Sequence, residues 1–144
     1  MFLYLLSRNI IMKTKSNDIA DAVSYLNKIL HGIDVWHSVR LPKKFFFVHP
    51  VSTILGQAQF GDYLAVWQGV TVGESRGKFP TFLGSTVIYS NASILGDCTI
   101  GHNTIIGADV KLINMDIPPN SKVLSTHTFK LIPNDLDVDD ILTK

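Results

Sequence analysis

The sequence holds a single cysteine, Cys98, among 144 residues. One thiol excludes an intrachain disulfide framework and a multi-cysteine zinc site, and it fits a reducing cytoplasm. Charge is scarce and balanced: charged residues make up 17% of the chain and the formal net charge is +1. That balance argues against a strongly basic binder of nucleic acid or of a membrane surface. A membrane-spanning run is missing too. Residues 1–12 are apolar but are broken by Arg8 and Asn9, and they lack the basic start and small-residue cleavage site of a secretory leader. Apolar residues, in contrast, are plentiful at 46%, enough for one globular domain with a core.

The first 12 residues are expected to form a strand or helix that packs on its own domain or on a neighbouring subunit. Residues 16–31 carry a helical pattern, in which Ile19, Val23, Leu26, Ile29 and Leu30 recur at spacings of three and four and share one face. Ser16, Asn17 or Asp18 can cap its start, and Gly32 suits a left-handed stop. This helix is expected to be a lid or a subunit contact.

From residue 48 the period changes. Val48, Ile54, Phe60, Val66 and Val72 are spaced by six; after a break, Phe82, Ile88, Ile94, Ile100, Ile106 and Leu112 resume the same spacing. Two positions earlier stands a second, usually smaller set: Ser52, Ala58, Leu64, Val70, Thr86, Ala92, Cys98, Thr104 and Val110. Glycine often follows the aliphatic, at Gly61, Gly73, Gly101 and Gly107. A period of six fits neither a helix nor an alternating strand; it marks a parallel β-helix of hexapeptide repeats. Each repeat supplies a short strand and a turn, three repeats close one triangular coil, and both apolar sets point inward and stack on the next coil. The glycines are read as relieving the backbone at corners. Eleven aliphatics at three per coil predict three to four regular coils, with a less regular one before residue 48. The break between Val72 and Phe82 predicts an extruded loop, the usual seat of function on a repeat scaffold. Residues 114–121, with Pro118 and Pro119, stop the coil, and the acidic residues 134–144 are expected to lie on the surface.

The fold class is therefore all-β: a left-handed parallel β-helix over residues 33–123, with a short N-terminal helical segment (1–32) and a C-terminal tail (124–144). Over residues 32–123 the sequence resembles the serine acetyltransferases and their short relatives among hexapeptide acyltransferases. The resemblance rests on His49-Pro50, on Gln68-Gly69-Val70-Thr71-Val72-Gly73, on Ile94-Leu95-Gly96 and on Pro118-Pro119. It implies an acetyl-CoA-dependent acyltransferase that moves an acetyl group to a hydroxyl of a small acceptor, with no metal and no covalent enzyme intermediate. His49 takes the place of the family's catalytic histidine. Asp34, in Gly32-Ile33-Asp34-Val35, takes the place of an aspartate fifteen residues earlier, so the two are expected on successive coils as a dyad. A base is needed because a hydroxyl is a poor nucleophile until deprotonated, and a carboxylate on the far ring nitrogen fixes the tautomer. Asp34 fits a turn cap equally well. The resemblance also implies coenzyme binding along the coil surface, with Gly73, Ala92, Gly107 and Ala108 as candidates, although ordinary coil geometry explains the same residues.

Two departures bear on the acceptor. Lys78 and Phe79 stand where serine acetyltransferases carry an arginine-histidine pair that contacts the amino acid, and Leu124-Ser125-Thr126-His127-Thr128-Phe129-Lys130 replaces a glycine-X-proline-alanine segment near the coenzyme. The acceptor is expected to be a sugar or a serine-like compound, as in the capsule or surface-polysaccharide synthesis served by short relatives. The resemblance further implies a homotrimer, with sites between subunits, acting in the cytoplasm. His37 is the reserve base, though a surface position is expected for it. Cys98 reads as core packing, His102 and His127 as surface or trimer contacts, Trp67 as pocket wall or trimer contact, and Phe45-Phe46-Phe47 as part core and part interface. Two other readings compete: a non-catalytic trimeric assembly protein, and a zinc-dependent carbonic anhydrase-like enzyme. The second needs three convergent histidines, and the repeats offer only His49 and His102.

Overall fold

The computed structural model describes residues 1–125 and 129–143. Two helices, α1 (Phe2–Thr14) and α2 (Asn17–His31), precede a run of short strands. These are β1 (Ile33–Val35), β2 (Phe45–Phe47), β3 (Thr53–Leu55), β4 (Gln59–Phe60), β5 (Leu64–Val66), β6 (Thr71–Gly73), β7 (Thr81–Phe82), β8 (Thr86–Ile88), β9 (Ser93–Leu95), β10 (Thr99–Ile100), β11 (Thr104–Ile106), β12 (Lys111–Ile113), β13 (Ser121–Ser125) and β14 (Phe129–Pro133). A last short helix, α3, covers Val138–Thr143.

The strands sort into three faces. The first holds β1-β3-β6-β9-β12, the second β10-β7-β4 and the third β14-β13-β11-β8-β5-β2. Every pairing is parallel except β13 with β14. The chain visits the faces in fixed rotation and climbs one strand spacing per circuit, giving a left-handed β-helix of about 5 turns. No single rung encloses its apolar side chains, so stability comes from stacking. Leu64, Val66, Val70, Val72, Ile88, Ile94, Ile100, Ile106 and Leu112 are fully buried in that stack.

The repeat spacing holds from Phe60 upward but fails in the first turn. Leu55 is 1% exposed and Ile54 46%, so Leu55 and not Ile54 points inward. Thr53 replaces Ser52 as its small partner, and Phe45 and Phe47 replace Val48, since they pair with Leu64 and Val66. The cause is corner length. Between register partners the corner from the third face to the first runs seven positions here, Phe47 to Ile54, with five residues, 48–52, between the strands, against five positions from Val66 to Thr71 in the rung above. The next corner is one residue short: Leu55 to Phe60 spans five positions where Ile94 to Ile100 spans six. The two deviations nearly cancel, and the count of six resumes.

The glycines serve a different purpose from the one expected. Gly61, Gly73, Gly101 and Gly107 do not occupy left-handed backbone; Ser85, Asn91, Asn103 and Asp109 at the corners do. Gly101 is needed for space, because a Cβ there would lie 2.3 Å from the Pro119 nitrogen on the next rung.

The tail differs from expectation, and the helices add contacts that the sequence pattern did not give. In α2 the side chains that pack inward are Ala20, Ser24 and Asn27, while the apolar stripe faces out, with Ile29 77% exposed. Small residues let α2 lie close against its neighbours; amphipathic spacing alone does not say which face is covered. Tyr4 of α1 is buried and ties the helix to the coil: its hydroxyl donates to the Val39 carbonyl and accepts from the Leu41 amide. The acidic tail is partly built in. Val138 is fully buried beside Ala65, Val87 and Ile105 on the outer side of the third face, and the Asn103 side chain accepts from its amide. No helix is long and apolar enough to cross a membrane among the described residues.

Candidate functional site

The long corner carries His49. Its backbone sits in the left-handed region at φ 50°, and Ser52, three residues on, does the same at 61°. Such conformations cost free energy in side-chain-bearing residues and persist where neighbours impose them. Here the Val48 amide donates to the Val66 carbonyl, the Val51 amide to that of His49, and the Ser52 amide to that of Gly32. The two extra residues lift His49 off the coil surface. Its side chain is exposed, and no hydrogen bond to its ring is present among the described residues.

Asp34 lies at the centre of β1, directly under Ile54, and points outward between the buried Ile33 and Val35. It thus stands in the rung below the His49 corner. Its carboxylate does not meet the His49 ring; it pairs with Lys28 Nζ of α2 at 2.7 Å. That carboxylate holds the Lys28 ammonium above its ordinary value. Aspartate and histidine are therefore brought to adjacent rungs, with a lysine in possession of the carboxylate.

His37 is not on the surface. It is 9% exposed, its Nε2 lies 2.7 Å from Asp21 Oδ1, and its Nδ1 is buried with no partner. A carboxylate only accepts, so Nε2 carries a proton in that bond. That arrangement keeps His37 from reaching an acceptor and fastens α2 to the segment after β1.

Two adjoining depressions run along the corner from the first face to the second. One is lined by Asp34, Trp36, Ser38, Val39, Leu55 and Gln57 among others. The other is lined by Gln57, Ala58, Gln59, Phe79, Pro80 and Thr81. Gln57 belongs to both, and its side-chain amide donates to Ser38 Oγ at 2.9 Å. Phe79 is 46% exposed at the break in the repeat. That break is a tight loop closed by reciprocal hydrogen bonds between Ser75 and Lys78, with Glu74 accepting from the Gly77 amide. Lys78 does not reach into the depression; it faces Asp97 at 3.8 Å.

The four coenzyme candidates do not form one strip. Ala92, Gly107 and Ala108 lie on or next to the third-to-first corner, the edge that also bears His49, whereas Gly73 ends its strand at the opposite side of the first face. Ala92 is fully buried, so only its backbone is near the surface, and Ala108 is exposed. Cys98 is buried, and its thiol donates to the Leu95 carbonyl. Phe45 and Phe47 pack against the core and Phe46 is exposed. Trp67 stacks at a tilt on Tyr89, 4.7 Å between centroids, beside the tail contact. His102 is exposed at a different corner from His49, and His127 lies outside the described residues. Among the described residues no three His, Cys, Asp or Glu side chains are grouped to hold a metal ion. The five-residue corner, the Lys28 partner of Asp34 and the role of Gln57 were missed from sequence. Gly56 directly after Leu55, the same aliphatic-glycine pair that recurs above, was the available signal for the first of these.

No family model matches the chain. A serine acetyltransferase from Synechococcus elongatus is 32% identical over 107 residues, covering 71% of this chain and 43% of that protein. One from Bacillus pumilus is 30% identical over 117 residues, 78% of this chain and 54% of its own length. Among solved structures, the serine acetyltransferase of Neisseria gonorrhoeae aligns with a TM-score of 0.81 at 24% identity, over 93% of this chain and 53% of that one. The same enzyme in complex with serine aligns with a TM-score of 0.78 at 26% identity, over 89% and 53%. The chain spans about half the length of the curated relatives it matches. In sequence and in its left-handed β-helix it resembles the serine acetyltransferases.

Proposed function

We propose that this chain is an acetyl-CoA-dependent O-acetyltransferase whose general base is His49. The observation that carries the reading is the His49 corner: two residues longer than its counterparts, held in left-handed backbone, and presenting an unengaged imidazole one rung above Asp34. A repeat scaffold has no structural need for that departure. The imidazole takes the proton of an acceptor hydroxyl, and the oxygen attacks the thioester carbonyl carbon. The tetrahedral intermediate collapses with loss of the thiolate, which recovers the proton from the imidazolium. Asp34 orients the ring and stabilises its cation once Lys28 is displaced. The thioester is already activated, so direct transfer suffices without a metal.

The coenzyme arm follows the third-to-first edge. From the His49 rung to Ala108 is three strand spacings, roughly 14 Å at ~4.8 Å per rung. Gly107 and Ala108 are small enough to admit it there, with Ala92 contributing backbone only; Gly73, the fourth coenzyme candidate, lies at the other side of the first face. The catalytic unit is the coil, residues 33–123, with 1–32 as a helical segment and 124–144 as a tail. The chain works as a homotrimer in the cytoplasm, with the open faces between subunits completing each site. The acceptor is the hydroxyl of a sugar or a serine-like compound, the sugar fitting a role in polysaccharide synthesis. Lys78, drawn to Asp97, supplies no two-pronged grip for a free amino acid's carboxylate.

A thiol-release assay with acetyl-CoA and a panel of sugars, sugar nucleotides and L-serine tests the reading. Thiol release that depends on an acceptor is the expected result. No release with any acceptor, from a folded trimer, would leave the chain as a non-catalytic assembly protein.

A further inference from the structure

We infer that the outward face of the α1–α2 pair is a docking surface for an anionic lipid bilayer, on which the protein lies without crossing it. The two helices are linked by Lys15 and Ser16 and pack against each other. On α1, Tyr4 and Ser7 are buried against the rest of the chain, while Phe2, Leu5 and Met12 share an exposed stripe. Phe2 is 73% exposed and Met12 68%. On α2, Ala20, Ser24 and Asn27 are packed, and Ile19, Leu26 and Ile29 form the exposed stripe. Apolar side chains exposed singly are ordinary, but stripes of them along two neighbouring helices mark an interaction surface. A helix with apolar residues on both sides has a partner on both sides.

Charge says what that partner is. Residues 1–17 hold Arg8, Lys13 and Lys15 and no aspartate or glutamate. Arg8 is turned inward, donating to the His37 and Val39 carbonyls. Lys13 and Lys15 are exposed next to Met12 and have no ion-pair partner among the described residues. Of the two carboxylates of α2, Asp21 is taken by His37, which leaves only Asp18. A second copy joined through this face would set these lysines against a surface almost without counter-charge. A bilayer with anionic headgroups supplies the counter-charge and the apolar layer together. Among the described residues no helix is long and apolar enough to cross, and the inner sides of both helices are packed on the chain, so the pair lies in the plane of the interface. The near-neutral charge of the whole chain agrees, because the attraction comes from apolar burial with a local cationic supplement and not from a strongly basic surface.

The test is co-sedimentation of the intact protein with vesicles. Neither acetyl-CoA nor an acceptor is present, so the outcome is independent of the acyltransferase reading. Vesicles of phosphatidylcholine mixed with phosphatidylglycerol are compared with phosphatidylcholine alone. At low salt the protein should pellet with the mixed vesicles and much less with the neutral ones. Ile29→Glu should lower the partition coefficient about tenfold or more, the worth of one buried aliphatic side chain. Lys13→Gln with Lys15→Gln should lower it about fivefold per lysine on the mixed vesicles and leave the neutral ones unchanged. Leu83→Glu, which alters an exposed apolar side chain on the coil, should have no effect. All four side chains are exposed, so the variants should fold. No pelleting, equal pelleting with both vesicles, or equal partition of Ile29→Glu and Leu83→Glu would overturn the surface. So would sedimentation equilibrium without lipid in which Ile29→Glu, but not Leu83→Glu, breaks an oligomer of the parent, since the face would then belong to a second copy.

Discussion

The first turn and the turns above it are built from the same repeat and behave as different objects. From Phe60 to Leu112 each rung buries its inward side chains and turns in three or so residues, with small polar side chains at the corners. The first turn lengthens one corner, shortens the next, leaves a loop over residues 36–44 in place of a strand, and takes a helix against its outer face. Repetition supplies stability, because each rung is the template for its neighbour. On the proposed function, departure supplies the chemistry: His49 and Asp34 both lie in the irregular turn. If that division is correct, substitutions in the two regions should separate activity from stability.

The largest effect is expected at the irregular corner. His49→Ala should lower turnover by roughly a hundredfold to ten-thousandfold, the usual worth of a general base. It should leave the melting temperature near that of the parent, since the ring is exposed and unengaged. Asp34→Asn should cost less if the carboxylate only orients the ring, and also frees Lys28. Steady-state rates check both substitutions; near-normal turnover by His49→Ala would remove the corner from the mechanism.

Next in size is the frame of the coil. Leu55→Ala should destabilise by about 2–5 kcal/mol through lost burial and a cavity. Ile54→Ala, one position away and exposed, should cost less than about 1 kcal/mol. Denaturant unfolding of the pair gives the answer, and equal losses would restore the unbroken six-residue count. Gly101→Ala should cost about 1–3 kcal/mol, because the new methyl meets backbone of the following rung. Gly73→Ala meets only Leu95 Cδ2 at 3.7 Å and should be mild.

How far the sequence was legible follows the same division. Inward positions above Phe60 could be counted because a closed stack forces one spacing on every rung. The first turn could not, since a two-residue insertion and a one-residue deletion nearly offset each other and left a false frame through Ile54 and Val48. The helical period of α2 was legible, but which face packs on the rest of the chain was not. Periodicity marks a stripe, whereas coverage depends on a partner, and Ala20, Ser24 and Asn27 lie close to theirs. Of the site, His49 and Asp34 came from motif spacing. The capture of Asp34 by Lys28 and the burial of His37 against Asp21 are contacts between elements, which no local pattern records.

The smallest effect tests the far end of the regular region, where the tail closes the third face. Lys122 of β13 pairs with Asp135, and that ammonium holds the Asp135 carboxyl below its ordinary value. A depressed carboxyl contributes stability that is complete above the unfolded group's titration range and is lost as pH falls through the lowered, folded value. Both partners reach solvent, Asp135 almost wholly, so screening keeps the contribution slight. Lys122→Met should therefore shift the melting temperature at pH 7 by no more than about 2 °C. The difference from the parent should narrow as pH falls below the ordinary carboxylate range and through the lowered, folded value. The anchor of the tail is the buried Val138 and its bond to Asn103, not this ion pair. A large loss in Lys122→Met that persists in acid would mean the lysine acts through its largely covered stem and not through its charge.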